Sequence, residues 1–157
     1  MTINNKPRVF IGSAVESINI AKTIQKSLQY SCYCETWAQG IFKPSNTALE
    51  SLIEALDIFD FAIFVFSPDD ISKIRDKAYT IVRDNVLFET GLFIGRIGRR
   101  RVFYLAPDRV ELHLPTDLFG FNPERYDSTH PNVEAALEIA CSSIEEQILI
   151  LGKIDRK

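Results

Sequence analysis

The sequence has few of the residues that build metal sites or disulfide frameworks. Its three cysteines are an odd number without a CxxC pair, and its two histidines, His113 and His130, stand alone in loop-like sequence. Structural zinc sites need several closely spaced Cys or His ligands, and small secreted proteins pair their cysteines. We therefore expect no metal, no bound cofactor, and a reducing, cytoplasmic setting.

Long hydrophobic runs and a surplus of positive charge are also lacking. No apolar run approaches the roughly 20 residues that span a bilayer, and residues 1–7 carry no signal-peptide hydrophobic region. The net charge of −3 gives no reason to expect nucleic acid as a partner. Residues 99–101 are all arginine, a pattern more typical of a solvated helix end, where cations are stabilised, than of a phosphate-binding track. Neither a membrane nor a nucleic acid is expected as a partner.

What the chain does contain is an alternation of strand-like and helix-like segments. Its 157 residues, 46% of them hydrophobic, are enough for one domain with a sizeable core, which we place at residues 8–151. The alternation predicts an α/β fold: a flavodoxin-like open, mostly parallel sheet of about five strands with helices on both faces. Residues 71–82 look like a mobile loop. The predicted strands are 8–13, 33–37, 61–66, 101–105 and a short edge strand within 121–126, and the helices are 16–28, 47–56, 84–96 and 131–151.

Several chemically distinctive residues fall where these strands end. Ligands of open parallel sheets bind outside the carboxyl ends of the strands. Gly12, which would let the backbone approach a ligand, and Ser13 follow the first strand, and Trp37 ends the second. The loop after Trp37 holds Phe42, and we weigh two interpretations of this aromatic pair about equally: either both pack into the core, or they contact a ligand ring or another subunit. After the third strand come Ser67 and Asp69.

The helix at 84–96 carries one narrow polar stripe on an otherwise apolar surface. With Asp84 as the predicted N-cap, Asn85, Glu89 and Arg96 lie within roughly 40° of one another around the axis. Arg96 is about 10 Å along the helix from Glu89, too far to neutralise it simply. An ordinary solvated stripe remains an alternative. The convergence of four segments on one sheet edge favours Glu89 facing a cleft.

Taken together, these blocks resemble the TIR-like domains of bacterial antiphage effectors, such as TIR–STING fusions and cyclic-nucleotide-gated TIR effectors. The resemblance covers about residues 8–126. One position departs from animal and plant relatives, which have an aromatic residue where this chain has Asn85. The matching stretches are 9–13 (VFIGS), 36–37 and 40–44 (TW and GIFKP), 61–70 (FAIFVFSPDD), 83–89 (RDNVLFE) and 114–118 (LPTDL).

The resemblance implies an NAD+ hydrolase that cleaves the nicotinamide–ribose bond, with NAD+ as substrate and no further cofactor. By position, Glu89 matches the catalytic glutamate and Trp37 an aromatic residue that stacks on the substrate. The resemblance also implies a homo-oligomer formed through TIR–TIR contacts, with residues 40–44 as a contact or lid. A sensor domain, or a site for a signalling nucleotide, would belong to a longer chain of which this single domain, residues 1–157, is a part. The expected substrate-binding residues are Gly12, Ser13, Trp37, Phe42, Ser67, Asp69 and Asn85.

Three other functions are compatible with the same residues. A nucleoside deoxyribosyltransferase-like enzyme also combines a similar sheet, a Gly-Ser first loop and one glutamate that acts on an N-glycosidic bond. A TIR domain can serve only as an adaptor that binds other TIR domains. A flavodoxin-like nucleotide binder without chemistry is the third. Offering NAD+ and deoxynucleosides side by side separates the two enzymes.

Overall fold

The computed structural model describes residues 5–37, 44–67, 70–74, 77–81, 84–118 and 120–157, and for 70–74 and 77–81 it describes the backbone alone. The elements, in chain order, are β1 (Arg8–Ser13), α1 (Ile18–Leu28), β2 (Tyr33–Thr36), α2 (Ala48–Leu56), β3 (Phe61–Val65), β4 (Asp70–Ile74), β5 (Lys77–Ile81), α3 (Asp84–Ile97), β6 (Val102–Pro107), β7 (Glu124–Tyr126) and α4 (Val133–Leu151).

Five of the strands form one parallel sheet in the order β2-β1-β3-β6-β7. The chain moves from β1 to one side for β2 and then to the other side for β3. This is the flavodoxin-like order, and its change of direction leaves a crevice at the carboxyl ends of β1 and β3. The predicted fold class is confirmed.

The core consists of two layers, one on each face of the sheet. Because side chains alternate along a strand, Val9 and Ile11 of β1 point to the face covered by α1 and α4, whereas Phe10 points to the face covered by α2 and α3. β3 repeats this division, with Ile63 on the first face and Phe64 on the second. All five residues of β3 are buried, as expected for a central parallel strand covered on both faces.

The segment predicted as a mobile loop is instead a two-stranded hairpin. β4 and β5 pair antiparallel, with Asp70 opposite Ile81 and Ile74 opposite Lys77. The prediction was wrong because it rested on the polar character of residues 71–82. An antiparallel pair closed by a short connection forms locally and does not require the unbroken apolar run of a buried strand.

Two helices differ in detail from their predicted form. The i, i+3, i+4, i+7 spacing of Leu49, Leu52, Ile53 and Leu56 predicts that all four share the core face of α2. Leu52 and Leu56 are buried, but Leu49 and Ile53 are about half exposed. The buried face is therefore rotated around the helix relative to the predicted one. In α3, Asp84 is the first helical residue and not a cap that precedes the helix.

Membrane-spanning helices and clusters of metal-binding side chains are both absent from the described residues. None of the helices there combines the length and the apolar character needed to cross a bilayer. The same part of the chain contains no group of three or more His, Cys, Asp or Glu side chains placed to hold a metal ion.

A buried carboxylate fastens the amino ends of β1 and β3 to the segment that follows α4. Asp60, only 1% exposed, accepts hydrogen bonds from the backbone N–H groups of Arg8 at 2.9 Å and Ile154 at 3.0 Å. It also accepts one from Nη1 of Arg156 at 3.0 Å. A buried charge with three donors is satisfied, whereas one that loses them is costly. This network lies at the amino edge of the sheet, opposite the crevice.

Replacing Asp60 with asparagine is expected to lower the free energy of unfolding by about 1–3 kcal/mol, because the amide loses the ion pair and must turn its NH2 group towards at least one of the three donors. Urea unfolding followed by circular dichroism measures the change. The matched control is Asp57→Asn, which breaks the exposed pair between Asp57 and Arg96 and should cost less than about 1 kcal/mol. Equal effects of the two substitutions would contradict the structural role of Asp60.

Candidate functional site

The position of Glu89 is fixed by the packing of α3 on the sheet. Val86 and Phe93, on either side of Glu89 in the helix, are buried against the sheet. The ring of Phe93 stacks on Phe10 of β1 with 5.0 Å between centroids and meets Phe64 of β3 edge-on at 5.7 Å. These contacts hold the first turns of α3 over the carboxyl ends of β1 and β3, and Glu89 lies there, partly buried.

The carboxylate of Glu89 lies against the bare Cα of Gly12. A Cβ atom added to Gly12 would come within 3.2 Å of Oε2 of Glu89 and within 2.7 Å of the Phe64 ring. Real Cβ atoms do not approach a ring so closely, so any larger residue would displace one of these neighbours. Gly12 therefore makes room for a protein side chain, a role that the sequence pattern did not predict.

Glu89 is held in a place where its charge is poorly solvated. Burial raises the pKa of the carboxyl group from its usual 4.5 to about 7. Within the described residues no cation or hydrogen-bond donor offsets this effect, and Arg96 pairs with Asp57 instead. An acid whose pKa is raised by burial, and which lies at the crevice of an α/β sheet, is a strong candidate for a functional group.

A cavity of about 500 Å³ opens beside Glu89. It lies between the turn that follows β1, the end of β2, the first turn of α2 and the first turns of α3. A capping box at Thr47 and Glu50 fixes the start of α2, with reciprocal hydrogen bonds of 2.7 and 3.2 Å. The polar lining residues are Ser13, Asn85 and Glu89, and the others are Ala14, Val15, Trp37, Ala48, Leu49, Leu52, Val86 and Phe88.

Two side-chain hydrogen bonds set the shape of the loop between β1 and α1. Nε1 of Trp37 donates to the hydroxyl of Ser13 at 3.2 Å. The hydroxyls of Ser17 and Ser67 hydrogen-bond to each other, and both residues are buried. The ends of β2 and β3 thus each hold the first loop at one point, so the wall of the cavity near Ser13 is well defined.

With this geometry in place, the sequence can be compared with known proteins. A family model described as the TIR domain of the CAP12/Pycsar effector protein matches residues 8–128. The chain belongs to this TIR family. The resemblance inferred from the sequence motifs is thereby confirmed.

Two curated relatives of this TIR domain are about twice its length. It is 43% identical over 147 residues to the Pycsar effector protein PaPycTIR of Pseudomonas aeruginosa, covering 92% of this chain and 48% of that protein. It is 38% identical over 148 residues to the CD-NTase-associated protein 12 of a Lachnospiraceae bacterium, covering 94% and 46%. The chain therefore spans about half the length of these curated relatives.

A solved structure supports the fold of this TIR domain but not its function. The flavodoxin-like domain of a Synechococcus protein superposes with a TM-score of 0.51 at 13% identity, covering 91% of this chain and 97% of that one. Identity this low carries no information on function. The superposition agrees with the flavodoxin-like fold of the sheet.

The predicted site residues of this TIR domain are distributed as follows. Ser13, Trp37, Asn85 and Glu89 meet around one cavity, and Gly12 lies directly behind Glu89. Ser67 is at the expected sheet edge, but its hydroxyl forms a hydrogen bond with the hydroxyl of Ser17. Phe42 and Asp69 lie outside the described residues. The roles assigned to these residues in catalysis and substrate binding stay predictions.

The sequence pattern missed part of the cavity wall. α2 contributes Leu49 and Leu52, whereas the helical spacing of its apolar residues predicts only a face towards the core. Phe88 also lines the cavity and is exposed, where an apolar helix surface suggested burial. Ser17, the partner of Ser67, gave no signal beyond its place near a helix start. The contacts of α2 and Ser17 join residues that are distant in the sequence, so no local pattern predicts them. For Phe88 there was one local signal, its position next to Glu89.

Proposed function

We propose that this TIR domain hydrolyses NAD+ at the nicotinamide–ribose bond, releasing nicotinamide and ADP-ribose in a linear or cyclic form. The observation that carries the proposal is the carboxylate of Glu89, which lies partly buried over Gly12 beside a cavity of about 500 Å³. Two further observations support the proposal. The chain belongs to a TIR family, in which Glu89 matches the position of the catalytic glutamate, and Glu89 lies at the crevice of a flavodoxin-like sheet.

The chemistry suits a single carboxylate. When the bond between C1′ of the ribose and the ring nitrogen breaks, the electron pair goes to the nitrogen, and nicotinamide leaves as a neutral molecule that needs no proton. Positive charge then develops on the ribose. Glu89 can stabilise this charge, hydrogen-bond the ribose hydroxyls, or bond covalently to C1′ before water replaces it. The water gives up one proton, and the products are nicotinamide, ADP-ribose and H+.

The raised pKa of Glu89 fits this substrate. In the empty site the carboxyl group is about half ionised near pH 7. A positively charged pyridinium ring close to Glu89 favours the carboxylate form and lowers its pKa. Binding of NAD+ would therefore generate the ionised form that the reaction needs. A neutral nucleoside, the substrate of the deoxyribosyltransferase alternative, would not have this effect.

The geometry also argues against a purely adaptor role. A domain that only binds other TIR domains gains nothing from a carboxylate whose ionised form is destabilised by burial. Such a cost to stability is typical of residues retained for catalysis. We propose that the domain acts as the NAD+-consuming part of a longer antiphage effector, in which a nucleotide signal and TIR–TIR contacts switch it on.

The direct test is to mix concentrated protein with NAD+ and to measure free nicotinamide by chromatography. We expect nicotinamide to form with the same stoichiometry as ADP-ribose, and deoxyadenosine offered in parallel to remain intact. Because self-association is expected to complete the site, turnover per subunit should fall on dilution towards nanomolar protein. Base release from deoxyadenosine without loss of NAD+ would contradict the proposal, and constant turnover on dilution would exclude activation by self-association.

A further inference from the structure

Exposed apolar side chains from three separate elements gather at the mouth of the cavity. Val15, in the turn after β1, is 67% exposed; Leu49 in α2 is 48% exposed and Phe88 in α3 is 56% exposed. Single exposed apolar residues are normal on protein surfaces, but a group of them around a cavity marks a binding surface. The mouth is therefore apolar, whereas Glu89 supplies a charge inside it.

Phe88 differs from the other described phenylalanines. Phe10, Phe64 and Phe93 are fully buried and pack against one another's rings. Phe88 has no aromatic partner among the described residues, and its side chain is exposed to solvent, unlike those of the other three. An exposed aromatic face that lines a cavity is suited to stacking on a planar ring.

The helix geometry separates the two neighbouring side chains of α3. Consecutive residues of a helix point about 100° apart, so Phe88 lies along the mouth while Glu89 reaches the floor near Gly12. A dinucleotide whose ribose lies over Glu89 has a heteroaromatic ring on each side of its central ribose and phosphate groups. A ring that lies across the mouth meets the exposed side chain of Phe88.

We propose that Phe88 is a specificity-determining residue that stacks on a planar heteroaromatic ring of the dinucleotide. This inference rests on the proposed function and names the group that the mouth of the site recognises. Both the nicotinamide and the adenine ring have the required chemistry. Stacking on an aromatic side chain favours planar rings with little regard to their hydrogen-bonding edges.

The binding test uses the single tryptophan of the chain, because Trp37 lines the same cavity and its fluorescence reports occupancy. The titrations are made in the Glu89→Gln background, which removes turnover, with NAD+, nicotinamide riboside and ADP-ribose. Adding Phe88→Ala should raise the Kd for NAD+ about 5- to 100-fold, whereas Phe88→Tyr should stay within about 3-fold. The control is Ile139→Ala on α4, a residue 82% exposed and remote from the cavity, which should leave the Kd unchanged.

The three ligands identify the ring. A weakening confined to NAD+ and nicotinamide riboside assigns the nicotinamide, and one confined to NAD+ and ADP-ribose assigns the adenine. If wild-type protein binds NAD+ through Phe88 but releases no nicotinamide, the proposed function is wrong and the stacking role stands. If Phe88→Ala changes no Kd by more than 2-fold, or changes only sedimentation, Phe88 has another role and the inference is overturned. If none of the three ligands binds, both proposals are wrong.

Discussion

Replacing Glu89 with glutamine is expected to reduce nicotinamide release from NAD+ by at least about 100-fold while leaving the fold intact. Glutamine has the same shape and fits over Gly12, but it has no negative charge to oppose the charge that develops on the ribose. Loss of a single group that stabilises transition-state charge commonly costs two to three orders of magnitude, and loss of a nucleophile costs more.

The same substitution should make the protein more stable at alkaline pH. The carboxyl group of Glu89 ionises near pH 4.5 in the unfolded chain but near 7 in the folded protein. Between these values the folded state holds the extra proton, so the free energy of unfolding falls as the pH rises. The loss begins around pH 4.5, is complete above about pH 7, and amounts to at most roughly 3 kcal/mol. Glutamine does not ionise, so the variant should match the wild type at pH 4 and exceed it at pH 8.

The activity of the wild type should follow the ionisation of Glu89. kcat/KM reports the free enzyme, so it should rise about tenfold per pH unit below pH 7 and level off above it. kcat reports the complex, in which the cationic ring favours the carboxylate, and its midpoint should lie at lower pH. Thermal unfolding measured from pH 4 to 9 and nicotinamide release measured from pH 5 to 9 provide the two profiles.

A matched control separates this effect from the loss of a surface charge. Glu138 is exposed on α4, and Glu138→Gln should alter neither activity nor the pH dependence of unfolding. If Glu89→Gln retains wild-type turnover, Glu89 is not the catalytic carboxylate. If it loses turnover but shows no stability gain at pH 8, the carboxylate is better solvated than its position against Gly12 and Phe64 implies.

The sequence predicted the sheet well because the sheet is encoded locally. The unbroken apolar run of β3 and the short run of β1 can be read directly as buried strands, and the strand ends place Gly12 and Trp37 at one edge. The strand-to-helix alternation then leaves few possible topologies. Glu89 stood out for the same reason, since an acidic residue within a narrow polar stripe of an otherwise apolar helix is a local signal.

The remaining features depend on contacts that no local pattern contains. Leu49 and Leu52 both line the cavity, and Leu52 also packs in the core. The position of α2 on the sheet decides this, and the spacing of its apolar residues does not. The hydrogen bond between the hydroxyls of Ser17 and Ser67 joins residues 50 positions apart in the sequence. The hairpin of β4 and β5 was missed because its two strands pair with each other, and its sequence contains no unbroken apolar run of the kind that identifies a buried strand.

Gly12→Ala is expected to reduce activity by about 100-fold or more and to lower the free energy of unfolding by about 1–3 kcal/mol, the usual cost of overpacking. The added methyl group would lie 2.7 Å from the Phe64 ring and 3.2 Å from Oε2 of Glu89. Phe64 is fully buried and contacts Phe10 and Phe93, so it has little room to move. The carboxylate must then shift, and catalysis is sensitive to displacements of about 1 Å.

Gly91→Ala is the matched control. Gly91 lies in α3 two residues after Glu89, and a Cβ atom there would meet nothing within 4 Å. Alanine should stabilise this helix by about 0.5–1 kcal/mol and leave nicotinamide release unchanged. If Gly12→Ala instead behaves like Gly91→Ala, the carboxylate does not need the space above Gly12.

A double-mutant cycle shows which neighbour is responsible. Glu89→Ala removes the carboxylate, so in that background Gly12→Ala should cost less stability, and the remaining cost reflects the contact with Phe64 alone. A coupling free energy near zero would mean that Gly12 and Glu89 do not share the space. A clear coupling would show that the glycine at the end of β1 and the glutamate of α3 are one unit: the first leaves the space in which the second is held, away from water and beside the cavity.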